Sequence, residues 1–337
     1  MSCILSIIVI THNQKELFRR CIDSILAQEL PFEHEIIVSD DASTDGTWEV
    51  INEYVNRYPE VIKAFQCNSD DCDPANNSQR SGWNRCNAYK HASGKYIAHV
   101  DGDDYFRPGA DVYKKQVEAL EVHPECSLAL SNVIWNEEGQ SLEESGPWDR
   151  GDTIKDGHVL TGEQIIACKL FIINQAYMER HNPDVDPVML YGKRYVDAVI
   201  TYHHLQYGKV VCVDACDYVY VQSKSSIAAT TDDSMVLWCN GLYIPTLIPH
   251  WRHDMYLAYN REIRDVVSLA RKGYKLQEKS KKSLEDLGVY IYNAFNRPLT
   301  IIDKIRLILT SWFLLAMEKF GWNKKADTQI LHYLLCK

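Results

Sequence analysis

The sequence predicts an α/β fold: a Rossmann-like, mostly parallel central sheet flanked by helices, with a helical C-terminal extension. Three observations predict it. Short apolar runs rich in β-branched residues, ILSIIVI at 4–10, EIIVS at 35–39 and YIAHV at 96–100, alternate with segments of helical spacing. That alternation is the pattern of βαβ units. Acidic residues follow two of those runs directly, Asp40-Asp41 and Asp101-Gly102-Asp103-Asp104, and in parallel sheets ligands bind beyond the carboxyl ends of the strands. Past residue 225 the alternation gives way to long, Trp- and Tyr-rich helical patterns. The expected division is a catalytic domain over 1–225 and an extension over 226–337.

The first run, 4–10, reads as a strand buried on both faces. Residues 14–28 follow with helical spacing and place Leu17, Cys21, Ile25 and Leu26 on one face. A second buried strand at 35–39 ends in the polar turn ASTDG, and 47–58 is helical again. A third strand is expected at 61–66, a polar loop over 70–81, a helix over 82–92 and a strand at 96–100. Residues 127–135 form one apolar stretch, 139–162 is irregular, and 164–173 and 196–207 are helical. Strands are expected at 209–213 and 218–221. Beyond them lie helical patterns at 234–270, 276–295 and 299–320.

The formal net charge of −10 disfavours broad nucleic-acid binding, which requires a Lys/Arg surplus on at least one face. The 11 cysteines show no CxxC pair and no regular framework, so neither a zinc site nor a disulfide scaffold is indicated. Most are expected to be reduced, as in a cytoplasmic protein. No run of about 18 apolar residues is present, and Met1–Ile10 lacks the features of a signal peptide.

DGDD at 101–104 carries the strongest chemical signal. Asp101 and Asp103 are two residues apart and share a side of an extended segment, while Gly102 permits close approach. Hard divalent ions such as Mg²⁺ or Mn²⁺ are commonly held by one or two carboxylates together with substrate phosphates. The rival reading is a loop with helix-capping aspartates. In the earlier loop, Ser43, Thr44 or Asp45 could cap the following helix, and Asp40 could accept hydrogen bonds from a base or a ribose.

SIIVITHN at 6–13, EIIVSDDASTDGT at 35–47 and GKYIAHVDGDD at 94–104 resemble, in order and spacing, the blocks of family 2 glycosyltransferases of the GT-A fold. The resemblance covers about residues 3–225. It implies an inverting enzyme with a nucleotide-sugar donor, most often a UDP-sugar, and a DXD-type metal motif taking Mn²⁺ or Mg²⁺. Its acceptor would be a glycan or a lipid-linked sugar, with a role in polysaccharide assembly. By the same resemblance Thr11 and Asn13 line the nucleotide and Asp40 meets the nucleobase. Asp101 lies near ribose and metal, Asp103 ligates the metal, and Asp104 supports them. Arg80 and Arg85 fall in the stretch that carries nucleotide contacts, although Cys86 stands where the family often has Asn.

The segment VDAVITYHHLQYGKVVCVD at 196–214 resembles the part of the family that supplies the general base, and Asp197 matches the base position. Val196 replaces the Glu that often precedes it. His203 and His204 follow, and Tyr177, Glu179 and His181 lie in the segment expected on the acceptor side. All five are candidates whose plain alternative is packing.

The pattern at 299–320 places Ile301, Ile305, Ile308, Trp312 and Leu315 on one face with Lys304, Arg306 and Lys319 among them. Such a helix suits peripheral contact with the inner face of a membrane. It equally suits packing on the catalytic domain or on a partner copy in a homo-oligomer. Two other functional classes remain open. A sugar nucleotidyltransferase would need a Gly-rich, basic loop after the first strand, where THNQKE stands. A nucleotide-sugar-binding protein without catalysis is the other, kept open by Val196.

Overall fold

The computed structural model describes residues 3–67, 77–147, 155–161, 174–184, 204–205 and 207–223, with backbone only at 77–80. Expected elements at 164–173, 234–270, 276–295 and 299–320, most of 196–207, and the candidates Asp197 and His203 lie outside the described residues. The chain divides into two units, Met1–Thr161 with Cys168–Thr230, and Gly162–Ala167 with Thr231–Lys337. Every residue of the second unit lies outside the described set.

In chain order the elements are β1 (Leu5–Thr11), α1 (Lys15–Leu26), β2 (His34–Asp40), α2 (Thr47–Arg57), β3 (Ile62–Gln66), α3 (Asn77–Tyr89), β4 (Tyr96–Asp101) and β5 (Tyr105–Phe106). They continue as α4 (Val112–Val122), β6 (Cys126–Leu130), β7 (Val133–Glu137), β8 (Gly146–Pro147) and β9 (Val159–Leu160). A 3₁₀ turn, Asn174–Ala176, leads into β10 (Tyr177–Arg180), and β11 (Lys209–Cys212) and β12 (Tyr218–Gln222) follow. An eight-stranded sheet has the order β3-β2-β1-β4-β10-β6-β11-β9, and a second sheet the order β5-β12-β7-β8.

In the large sheet β3, β2, β1 and β4 are parallel, β10 opposes both its neighbours, β11 follows β6, and β9 opposes β11. Most strands thus share one direction, as a Rossmann-like sheet requires. All seven residues of β1 are buried, which is why the run is almost wholly apolar. Each such Ile or Val contributes about 1.5–3 kcal/mol by leaving water.

Three expectations are corrected. On α1 the buried face is Phe18, Cys21, Ile22 and Ile25, and Leu17 is exposed. Cys21 and Ile25 are buried as expected, and Phe18 and Ile22, in place of Leu17 and Leu26, complete the i, i+3, i+4, i+7 set. The helix expected at 82–92 begins at Asn77, inside the segment expected to be loop. The apolar stretch 127–135 is two strands in two sheets. Ser131 N–H turns to the Ala176 carbonyl at 2.8 Å and Asn132 N–H to that of Ala215 at 2.9 Å, so the break falls at the polar pair.

The amino-terminal ends of the strands are closed by a buried carboxylate. Glu35, 5% exposed, accepts from Ser6 Oγ at 2.7 Å, Ser93 N at 2.8 Å, Ser93 Oγ at 2.7 Å and Lys63 Nζ at 2.8 Å. Burial alone would raise its pKa, but Lys63 and the serine donors outweigh it and hold the carboxyl at about 2. Among the described cysteines, Cys3, Cys21, Cys126 and Cys212 are free thiols. Among the described residues, no helix is long and apolar enough to cross a membrane.

Candidate functional site

The register of three adjacent parallel strands brings the acidic motifs to one edge. Thr11 at the end of β1 lies opposite Asp40 on β2, and Ile10 lies opposite Asp101 on β4. Gly102 is tucked against β1. A β-carbon there would sit 2.9 Å from Thr11 Cβ and 2.8 Å from Gln14 Oε1, so no larger residue fits without moving the loop.

The Asp40 loop is held from both sides. Asp40 is fully buried. Its carboxylate accepts from Ser43 N at 3.0 Å and from Ser43 Oγ. Asn13 takes a left-handed backbone, φ 51°. Its N–H donates to Ser43 Oγ at 2.8 Å and its Oδ1 accepts from Thr44 N at 2.8 Å. Asp45 serves two helix starts, accepting from Thr47 N at 3.0 Å and Lys15 N at 3.2 Å. Of the three capping candidates, Asp45 is the one that accepts from a helical N–H. Thr11 is 3% exposed, and its Oγ1 donates to Gln14 Oε1 at 3.0 Å.

The DGDD carboxylates have three different environments. Asp101 has both oxygens engaged: Arg85 Nη2 lies 2.5 Å from Oδ1 and Gln175 Nε2 2.5 Å from Oδ2. Arg85, from α3, is fully buried. Asp104 is buried at 1% exposure and accepts from Tyr218 OH at 2.5 Å and Val221 N at 2.8 Å, which ties the motif to β12. Asp103 is half-buried. Burial, followed by the charge of Asp101, pushes its carboxyl up to about 6 despite the nearby Gln14 and Arg20. Arg20 also donates to the Asp103 carbonyl at 2.9 Å and lies over the Tyr105 ring at 4.1 Å.

Glu179 proves to be an interior residue. It is fully buried, with Oε1 3.5 Å from His99 Nε2 and Oε2 2.5 Å from His204 Nε2. Burial favours its neutral acid, but the imidazoles, His204 foremost, hold the carboxyl well below the usual carboxylate range. Burial pushes the His99 imidazole down. Tyr177 packs edge-on to His99, and the His181 ring contacts the Gly94 carbonyl at 2.9 Å.

The structure therefore gathers Thr11, Asn13, Asp40, Arg85, Asp101 and Asp103 at one sheet edge. Arg80 lies in α3 with its side chain outside the described residues, and Asp197 lies outside them altogether. Gln175 went unrecognised in the sequence, where its only mark is to follow Asn174 after the apolar run FII. A cavity of about 460 Å³ between α4 and β11 is lined by Lys115, Val122, Asp156 and Val213 and contains none of these residues.

A family model described as glycosyl transferase family 2 matches residues 6–180. The chain belongs to glycosyltransferase family 2. Its described fold is that of family 2 enzymes. Staphylococcus aureus TarS residues 1–349, solved with UDP-GlcNAc, superposes with a TM-score of 0.62 at 17% identity, covering 98% of this chain and 91% of that one. An uncharacterized protein of Mycobacterium tuberculosis is 30% identical over 187 residues, 55% of this chain and 49% of its own length. The poly(ribitol-phosphate) beta-glucosyltransferase of Bacillus spizizenii is 36% identical over 102 residues, 30% of this chain and 15% of its own length. The matched region thus spans about half the length of the first of these curated relatives, and less of the second.

Proposed function

We propose that this family 2 protein transfers a sugar from a nucleoside-diphosphate sugar, a UDP-sugar by preference, to a hydroxyl of a glycan or lipid-linked acceptor. One observation carries the reading. Parallel register sets the Asp40 loop and the DGDD loop on either side of the end of β1, and Asp103 remains a half-buried carboxylate crowded by Asp101. Two anions held together call for a cation. Ions such as Mg²⁺ and Mn²⁺ are commonly held by one or two carboxylates together with substrate phosphates. Asp103 would hold Mn²⁺ or Mg²⁺, with Asp101 beside it. When bound, the ion supplies charge stabilisation to the departing diphosphate.

The chain's own groups divide the remaining work. Asn13 and Ser43 shape the loop where the base would lie, and Asp40 stiffens it through Ser43. Arg85 and Gln175 hold both oxygens of Asp101, which would lie near ribose and metal. Asp197 would take the proton from the acceptor hydroxyl as it attacks opposite the leaving group, giving inversion. Peripheral membrane contact through 299–320 would suit a lipid-linked acceptor, and a partner copy is the other occupant that face would take.

The test is a panel of nucleotide sugars with Mn²⁺ or Mg²⁺, read as release of nucleoside diphosphate, with Asp103→Ala and Asp197→Ala in parallel. Metal-dependent release from one donor, lost in both variants, supports the reading and names the donor. Nucleotide binding without turnover on any donor and acceptor favours the second reading, a nucleotide-sugar-binding protein, for which Val196 before Asp197 is the motive. Absence of nucleotide binding overturns both.

A further inference from the structure

β10 is four residues long and runs against both its neighbours. Tyr177, Met178 and Glu179 are all buried, so both of its faces are covered. A one-residue slip in such a strand moves every side chain to the opposite face. Met178 opposes this weakly, because an apolar group finds an apolar environment on either side. Arg180, at the end of the strand, resists it by donating to the Leu120 carbonyl at 2.8 Å and the Cys126 carbonyl at 3.2 Å. Glu179 resists it from the other face. In register its carboxylate meets His99 and His204. Slipped, it would be buried away from both imidazoles, and a buried carboxylate without hydrogen-bonding partners is strongly disfavoured.

Register matters here because of the turn that precedes the strand. Gln175 stands four residues before Glu179 and reaches Asp101 Oδ2. His99 and Asp101, two apart on β4, share a side of that strand, so Glu179 meets the position directly below the carboxylate that Gln175 holds. The turn has further fixings, since the Ala176 carbonyl accepts from Ser131 N at 2.8 Å and Gln116 Nε2 at 3.2 Å. Those bonds locate the backbone but do not choose which face a side chain takes.

We propose that Glu179 is a positioning residue of the donor site: paired with His99 and His204, it pins the register of β10 and thereby keeps Gln175 on Asp101. The inference rests on the donor-site reading above. It gives a buried polar trio that an apolar trio could replace in volume a task that an apolar trio cannot perform.

The experiment measures the Kd of UDP with Mn²⁺ by calorimetry, and the Tm, for the native chain and variants. Gln175→Ala is expected to weaken UDP about tenfold, the loss of one hydrogen bond to a charged group. Glu179→Leu is expected to weaken it by about three- to tenfold. The double variant should be no weaker than Gln175→Ala alone, because both remove the same contact. Glu179→Gln, which keeps the shape and a polar contact to the imidazoles, should recover most of the affinity. If Glu179→Leu does not fold, Glu179→Leu with His204→Leu removes charge and partner together, a change that is often neutral or stabilising. A folded apolar variant with native affinity for UDP overturns the proposal, as does a double variant whose losses multiply. Failure of the native chain to bind UDP or any other nucleoside diphosphate would instead overturn the donor site, and this inference with it.

Discussion

Two carboxylates at opposite ends of the same sheet are driven in opposite directions. Glu35, at the amino-terminal ends of the strands, is saturated by two serines and a lysine and is held at about 2. Asp103, beyond the carboxyl ends, is pushed up to about 6 by burial and by its neighbour Asp101. Both are acidic residues beside buried strands. The difference lies in how many donors and how much opposite charge the fold places on each: two serines and Lys63 on Glu35, against Arg20 and the like charge of Asp101 beside Asp103. A carboxylate satisfied from within holds the structure together, and on the function proposed above the other is where a cation would sit.

The largest test of that contrast is functional. Asp103→Asn should lower nucleoside-diphosphate release by about 10²–10³-fold, the usual cost of removing one group that stabilises developing charge, whereas Glu35→Gln should leave turnover of the folded protein within about twofold. Equal loss in both would break the comparison. Arg85→Met is next. It removes the buried cation from Asp101 and should cost about 3–5 kcal/mol in denaturant unfolding, with weaker nucleotide binding in whatever remains folded. Third, Tyr218→Phe deletes one of two donors to buried Asp104 and should cost about 1.5–3 kcal/mol. A cost near zero would show that Val221 N–H alone satisfies that carboxylate.

The smallest effect is one of pH. The folded pKa of Glu35 lies below its ordinary 4.5, so its contribution to stability is fully present above about pH 4.5. It is lost as pH falls through about 2. Lys63→Met should trim this contribution by under about 1 kcal/mol, because the lysine is half-exposed and its pair is screened. The acid limb of a Tm-against-pH curve for the two proteins reads the difference. An unchanged limb would assign the low pKa of Glu35 to Ser6 and Ser93 alone.

The legibility of the sequence follows the same divide. β1, β2 and β4 were plain because burial on both faces forces unbroken β-branched runs, and the acidic loops were plain because they follow those runs without an interval. The clamp on Asp101 was half legible: Arg85 came from the resemblance, and Gln175 came from nothing. β10 was invisible because YMER is short and half charged, and because Glu179 becomes an interior residue only beside His99 and His204, 80 residues before it and 25 after it in the sequence. The exchange of Leu17 for Phe18 on the α1 face has a similar cause, since periodicity alone does not rank the two. Local pattern reports what a strand needs from its surroundings but not which distant side chain supplies it.

The link from Asp104 to Tyr218 spans 114 residues of sequence. It carries a timetable for synthesis. At about 5–20 residues per second, a ribosome that has finished DGDD needs about 6–23 seconds more before Tyr218 exists. Through that interval a carboxylate destined for the interior has neither the phenol nor the amide that will receive it. The nascent amino-terminal half therefore carries an incomplete site while it waits, and a chain cut short before residue 218 would leave Asp104 with no place in the interior.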